Sequence, residues 1–239
     1  MNDRGKTINH TVLKTISYTD ETAKEIVKRF CGHVHWLVRL RHTYKVLFED
    51  EQPSCQTLME KTASSFFSDL TRILQEYLLL ECAKITDPAT SNKDDNFTVK
   101  YLISSIKWPD DKDKELTSLL AITEDFRNHI KPARHKLLAH LDVQAVLSDK
   151  PLGEFPKDED RTFFEALENI CNITHEACFG TIYGDMSPIT VGGGDVISLR
   201  KTLEHAVAVR QALLESSGLE KKHLLLLWQK ARHEPRPYV

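Results

Sequence analysis

Residues 134–142 read RHKLLAHLD, an arginine and two histidines set among leucines and closed by an aspartate. Arginine is the side chain best shaped to grip the oxygens of a phosphate, and histidine is the one able to give and take a proton near neutral pH. Together they suffice for metal-free cleavage of RNA, with the sugar 2′-hydroxyl as nucleophile. Arg134 and His140 are the candidate catalytic pair, and His135 lies beside them.

Helical geometry sharpens the reading. At about 100° per residue, with Arg134 as origin, Leu138, Leu141 and Leu137 all fall within about 60° of it, while His140 and His135 fall on the two flanks. A cation thus sits on an apolar stripe with an imidazole on each side. A guanidinium cannot escape burial by losing its proton, so it needs a carboxylate, a phosphate or several carbonyls. Arg134 and His140 are about 9 Å apart along the axis, a gap that a long arginine largely spans around an anion held between them. Pro132 either kinks one long helix or opens a new one; in the second case Arg134 falls in a first turn, where free N–H groups and the helix dipole favour an anion. The competing structural reading is an arginine paired with an acid of its own chain, with the histidines at a stripe edge.

The elements that must position these residues are helical. Apolar residues recur every three or four positions and glycine and proline number nine each, which predicts an all-α chain with no β-architecture. The first helix is expected over 19–48 and the second from Pro53 to Asp87 and Pro88, which stop it. ATSNKDDN makes a loop, FTVKYLISSI a short helix, and DDKDKE a solvated helix start. Periodicity then runs from Leu116 through Phe126 and Ile130 to Leu141, and again over 161–180. Asp195 caps a last long helix that Gly218 ends, followed by the short apolar helix HLLLLWQKA.

The formal charge of −3 argues against bulk coating of nucleic acid, so any such role is local to a site. Five cysteines without a C-x-x-C pair read as reduced thiols. With no signal-like or membrane-spanning stretch, a cytoplasmic protein without a membrane partner is expected.

An arginine, a polar residue and a histidine six residues after the arginine, near the end of an all-helical domain, resembles the signature of the HEPN superfamily. The ending AHLD, with FFSDLTRILQEYLLLECAKITDPATSN and NFTVKYLIS before it, is similar to the AbiU-type branch associated with abortive phage infection. The similarity spans roughly residues 66–142. It implies a HEPN-like four-helix bundle core over 1–150 with additional C-terminal helices over 151–239 packed on the same core. It further implies a homodimer with two motifs face to face, an antitoxin or regulatory partner, and a metal-independent endoribonuclease acting as toxin or phage-defence effector. By the same resemblance Arg134 stabilises charge on the phosphate, His140 acts as acid or base, and His135 fills the polar slot; no cofactor or metal is implied. Some HEPN domains only bind nucleotides or partners, so a non-catalytic binding module is the alternative. Arg127 is a second arginine nearby, but the residue six further on is Ala133, and Arg134 is preferred.

Other candidates read as structure. HVHWLVRLRHTYK, over 33–45, has the composition of a single-strand-binding surface, against which stands a basic helix face with Trp36 and Tyr44 in the core. His33 and His35 point to different sides of a helix and make a poor metal pair. GGGD, over 192–195, lacks the lysine and hydroxyl residue of a phosphate loop. Cys171, Cys178 and His175 read as packing.

Overall fold

The computed structural model describes residues 16–49, 53–91, 94–134, 158–186 and 195–216, with 218, 222, 223 and 226 beyond them. Among the described residues there are six α-helices and four strands of two residues each, an all-α architecture as the periodicity predicts.

Helix α1 (Glu21–Tyr44) buries Ala23, Val27, Phe30, Cys31, Val34, Leu37 and Val38, a three-and-four spacing that makes one apolar stripe, and runs into a π-helical turn, Lys45–Glu49. Helix α2 (Pro53–Ile85) opens on a proline, whose missing N–H would be unpaired there in any case. At Ala63 it leaves helical geometry, with φ −155° and ψ 69°, so two straight pieces meet at a kink.

The segment after α2 departs from the expected plain loop. Strands β2 (Thr90–Ser91) and β3 (Asp94–Asp95) pair antiparallel, and the Asn96 side chain donates to the Pro88 carbonyl at 2.8 Å. Helix α3 (Val99–Ser105) is capped by the Thr98 hydroxyl, which accepts from the Tyr101 N–H at 3.1 Å. Strand β4 (Ile106–Lys107) follows and pairs in parallel with β1 (Ile16–Ser17). These pairings are too short to leave an alternation pattern, which is why periodicity alone misses them.

Helix α4 (Asp110–Ala133) starts on Asp110, Asp111 and Asp113, whose charges suit the positive end of the helix dipole. Helix α5 (Glu159–Phe179) ends at Gly180, whose φ of 74° is the left-handed cap that glycine adopts without strain. Helix α6 (Val196–Glu215) is capped by Asp195, whose Oδ1 accepts from the Ser198 N–H at 2.8 Å. The short apolar helix expected after Gly218 falls largely outside the described residues.

The chain divides into two compact units, Met1–Arg41 with Leu74–Pro188 and His42–Ile73 with Ile189–Val239. The core of the first gathers Phe30, Leu37, Leu102, Leu116, Phe163, Leu167 and Ile170, all fully buried. Phe126 of α4 stacks on Phe163 of α5 with centroids 4.1 Å apart, so the helix starting at Glu159 is part of this unit. In the second unit Cys55, Met59 and Phe67 form a small core with Phe48, Leu70 and Leu203 against it, and α6 itself buries no residue. Part of the face predicted for α2 is open: Phe66, Ile73 and Tyr77 are exposed. Trp36, expected in the core, is exposed too, with its ring edge-to-face on Tyr77.

Candidate functional site

The described part of the candidate site is built from the ends of two helices. At the close of α2, Thr86 turns its hydroxyl back onto the Cys82 carbonyl and the Asp87 N–H donates to the Lys84 carbonyl, after which Pro88 prevents continuation. Asp87 is left at the helix end, one residue ahead of the segment that Asn96 pins. On α4, Phe126 and Ile130 are buried in the core, and Arg127 and Arg134 lie seven residues apart, two turns along nearly the same face.

Both arginines reach Asp87. Arg134 Nη1 donates to Asp87 Oδ1 at 2.5 Å and Nη2 to Oδ2 at 2.8 Å, a two-pronged contact that fixes the guanidinium plane. Arg127 Nη2 stands 3.7 Å from the same Oδ1. The side chains are 30% (Arg134), 26% (Arg127) and 18% (Asp87) exposed, so the cluster is shielded yet still reached by solvent. The fork onto Asp87 uses two of the five N–H donors of Arg134; among the described residues the remaining three make no hydrogen bond.

Pro132 lies inside α4, and the alternative of a helix beginning at Pro132 is not what forms. The Arg134 N–H is shared between the Ile130 and Lys131 carbonyls, which places Arg134 at the C-terminal end of α4. The first-turn anion site considered for Arg134 therefore does not exist. With its N–H already bonded within the helix, Arg134 can bind an anion only through its side chain. His135 and His140 fall outside the described residues.

Two further polar contacts tie helices together. His129 Nδ1 is 2.6 Å from Glu159 Oε1. The second oxygen of Glu159, Oε2, is buried and has no hydrogen-bond partner among the described residues. Arg41 donates to Asp160 Oδ2 through Nε at 3.1 Å and Nη2 at 2.8 Å, with its guanidinium 4.7 Å from the Phe164 ring centroid.

The other sequence candidates are accounted for locally. Burial pushes the Cys171 thiol well up and Cys178 to about 11, and the His175 ring nitrogen Nδ1 donates to the Thr181 carbonyl at 2.6 Å, so neither thiol is activated. His33 Nε2 stands 3.7 Å from Glu81 Oε2, and His35 lies edge-on to Tyr183. Among the described residues no group of three or more His, Cys, Asp or Glu side chains could hold a metal ion, and no helix is long and apolar enough to cross a membrane.

Sequence reasoning named Arg134 and missed its partners. Asp87 reads there only as a helix stop, and nothing in spacing links it to an arginine 47 residues on. Arg127 lacks a histidine six residues on, and what ties it to Arg134 is the carboxylate of Asp87 that both approach.

Compared with known proteins, residues 20–184 match the family model described as HEPN AbiU2 (AbiU2). No curated protein and no solved structure matches the chain.

Proposed function

We infer that this chain, which belongs to the AbiU2 family of HEPN proteins through residues 20–184, is a metal-independent endoribonuclease of the abortive-infection type. The observation that carries the reading is the state of Arg134. It sits at the C-cap of α4, its plane set by Asp87, and among the described residues Asp87 takes two of its five N–H donors and no other group bonds the rest. An arginine held in this way can receive a phosphate without first losing the entropy of its own long side chain.

In the proposed reaction a base takes the proton of the 2′-hydroxyl and O2′ attacks phosphorus. Arg134 offsets the charge that builds on the non-bridging oxygens, the bond to the 5′-oxygen breaks, and that oxygen takes up a proton. The products are a 2′,3′-cyclic phosphate and a 5′-hydroxyl end. His140 is assigned one of the proton transfers and His135 the neighbouring polar position. A second copy supplies the facing motif in a homodimer, and an antitoxin or regulatory partner restrains a toxin or phage-defence effector in the cell.

The test is cleavage of single-stranded RNA by the purified chain in the presence of a chelator. Cyclic-phosphate ends from the intact protein, lost in both Arg134→Ala and His140→Ala, are the expected result. Cleavage that persists in both variants sinks the reading. One observation favours the alternative of a non-catalytic module binding a nucleotide or protein: Asp87 already pairs the Arg134 charge within its own chain. On that reading purified protein leaves RNA intact.

A further inference from the structure

The geometry around Asp87 involves more than Arg134. Its Oδ1 accepts from Arg134 Nη1 and also faces Arg127 Nη2 at 3.7 Å, so a single carboxylate oxygen stands between two guanidinium groups. Arg134 takes both oxygens in hydrogen bonds, whereas Arg127 is held at ion-pair distance with no hydrogen bond to Asp87. Neither arginine can shed its proton, so two cations share one anion and the trio carries one surplus positive charge. Arg127 is the more loosely held of the two and is about three-quarters buried, where surplus charge is less well solvated than at an open surface.

We propose that Arg127 is a second phosphate ligand of this site, taking one non-bridging oxygen of the RNA phosphodiester whose other non-bridging oxygen Arg134 holds. The proposal rests on the ribonuclease reading for its substrate. A phosphodiester, like a carboxylate, presents two oxygens that share one negative charge. A spacing that brings two guanidiniums to one carboxylate oxygen also brings them to the two oxygens of one phosphate. Asp87 keeps Arg134 in plane while the phosphate approaches the exposed side, and the incoming charge cancels the surplus. Lysine at 127 would keep the charge and lose the planar fork.

The test is single-turnover cleavage of a short RNA with one phosphorothioate of defined configuration at the scissile position, using variants of unchanged helical content. In the intact protein, sulfur at either non-bridging position is expected to slow cleavage. In Arg127→Lys the rate falls about tenfold to a hundredfold, as for loss of one charge-assisted hydrogen bond. Sensitivity to sulfur then disappears at one configuration and persists at the other; unchanged sensitivity at both overturns the proposal. A second arm measures binding of the same unmodified RNA to His140→Ala protein as salt is raised. Adding Arg127→Ala lowers the log–log salt slope by about 0.7, while adding Arg127→Lys leaves it unchanged. An unchanged slope in Arg127→Ala overturns the proposal whether or not the chain cleaves RNA. A lowered slope in a chain that cleaves nothing removes the ribonuclease reading and keeps Arg127 as a phosphate ligand.

Discussion

Arg134 meets Asp87 through both prongs of its guanidinium, Nη1 on Oδ1 at 2.5 Å and Nη2 on Oδ2 at 2.8 Å. The contact joins the end of α2 to the end of α4, so it both restrains the fold and orients the arginine. Asp87→Asn separates these effects, since it keeps the size of the side chain and removes its charge. We expect RNA cleavage to fall about tenfold, mainly in kcat, as an arginine free to rotate spends less time in the productive pose. A double-mutant cycle of Asp87→Ala with Arg134→Ala, read by urea unfolding, should give a coupling of about 1 kcal/mol, the scale of a partly exposed ion pair. Additivity of the two changes would show that the contact holds nothing together.

Phe163 is fully buried and stacks on Phe126 at 4.1 Å, linking α5 to α4. Phe163→Ala should cost about 3–5 kcal/mol in chemical unfolding, because it opens a cavity at the centre of the first unit. A loss below about 1 kcal/mol would mean that α5 is not part of that core.

The five cysteines are free and buried. Burial holds the Cys82 and Cys171 thiols far above the usual range and Cys178 at about 11, which leaves almost no thiolate in mildly alkaline solution. Ellman titration of native protein should therefore show no rapid phase, and all five thiols should react after unfolding in guanidinium. A fast native thiol at Cys31, Cys171 or Cys178 would contradict the packing of α1 against α5.

Burial, with a smaller contribution from the neighbouring charge of Asp185, raises the carboxyl of Glu168 above its ordinary value. A carboxyl raised in the folded state adds stability below its unfolded value and loses that contribution as pH rises through its folded value. Glu168→Gln, which copies the protonated acid, should accordingly raise the melting temperature near neutral pH and give no gain in mild acid. A gain that is the same at both pH values would point to packing instead.

Much of this architecture is written locally. The stripe of Leu116, Phe126 and Ile130 identifies α4, and Asp195 announces α6, because three-residue and four-residue contacts depend on nearby residues alone. What escapes is whatever depends on distant partners. The pairing of Ile16 with Ile106 leaves no alternation to find, and the open side of α2 around Ile73 carries the same apolar pattern as its packed side. The site divides along the same line. Arg134 stands out as a charge on an apolar stripe, but only the folded chain brings Asp87 and Arg127 to it. Pro132 is a case of competing rules, since both opening a helix and sitting near its end are compatible with proline, and the last turn of α4 adopts the second.

Helix α5 buries Phe163, Phe164, Ala166, Leu167, Ile170, Cys171, Ile173, Thr174 and Cys178, whereas α6, nearly as long, buries none. The two should differ most visibly in amide hydrogen exchange. Protons in the middle of α5 leave only when the whole unit opens, and those of α6 leave through local fraying, orders of magnitude sooner. A deuterium-uptake map would then show one helix as the slow clock of the molecule and the other as its fast one.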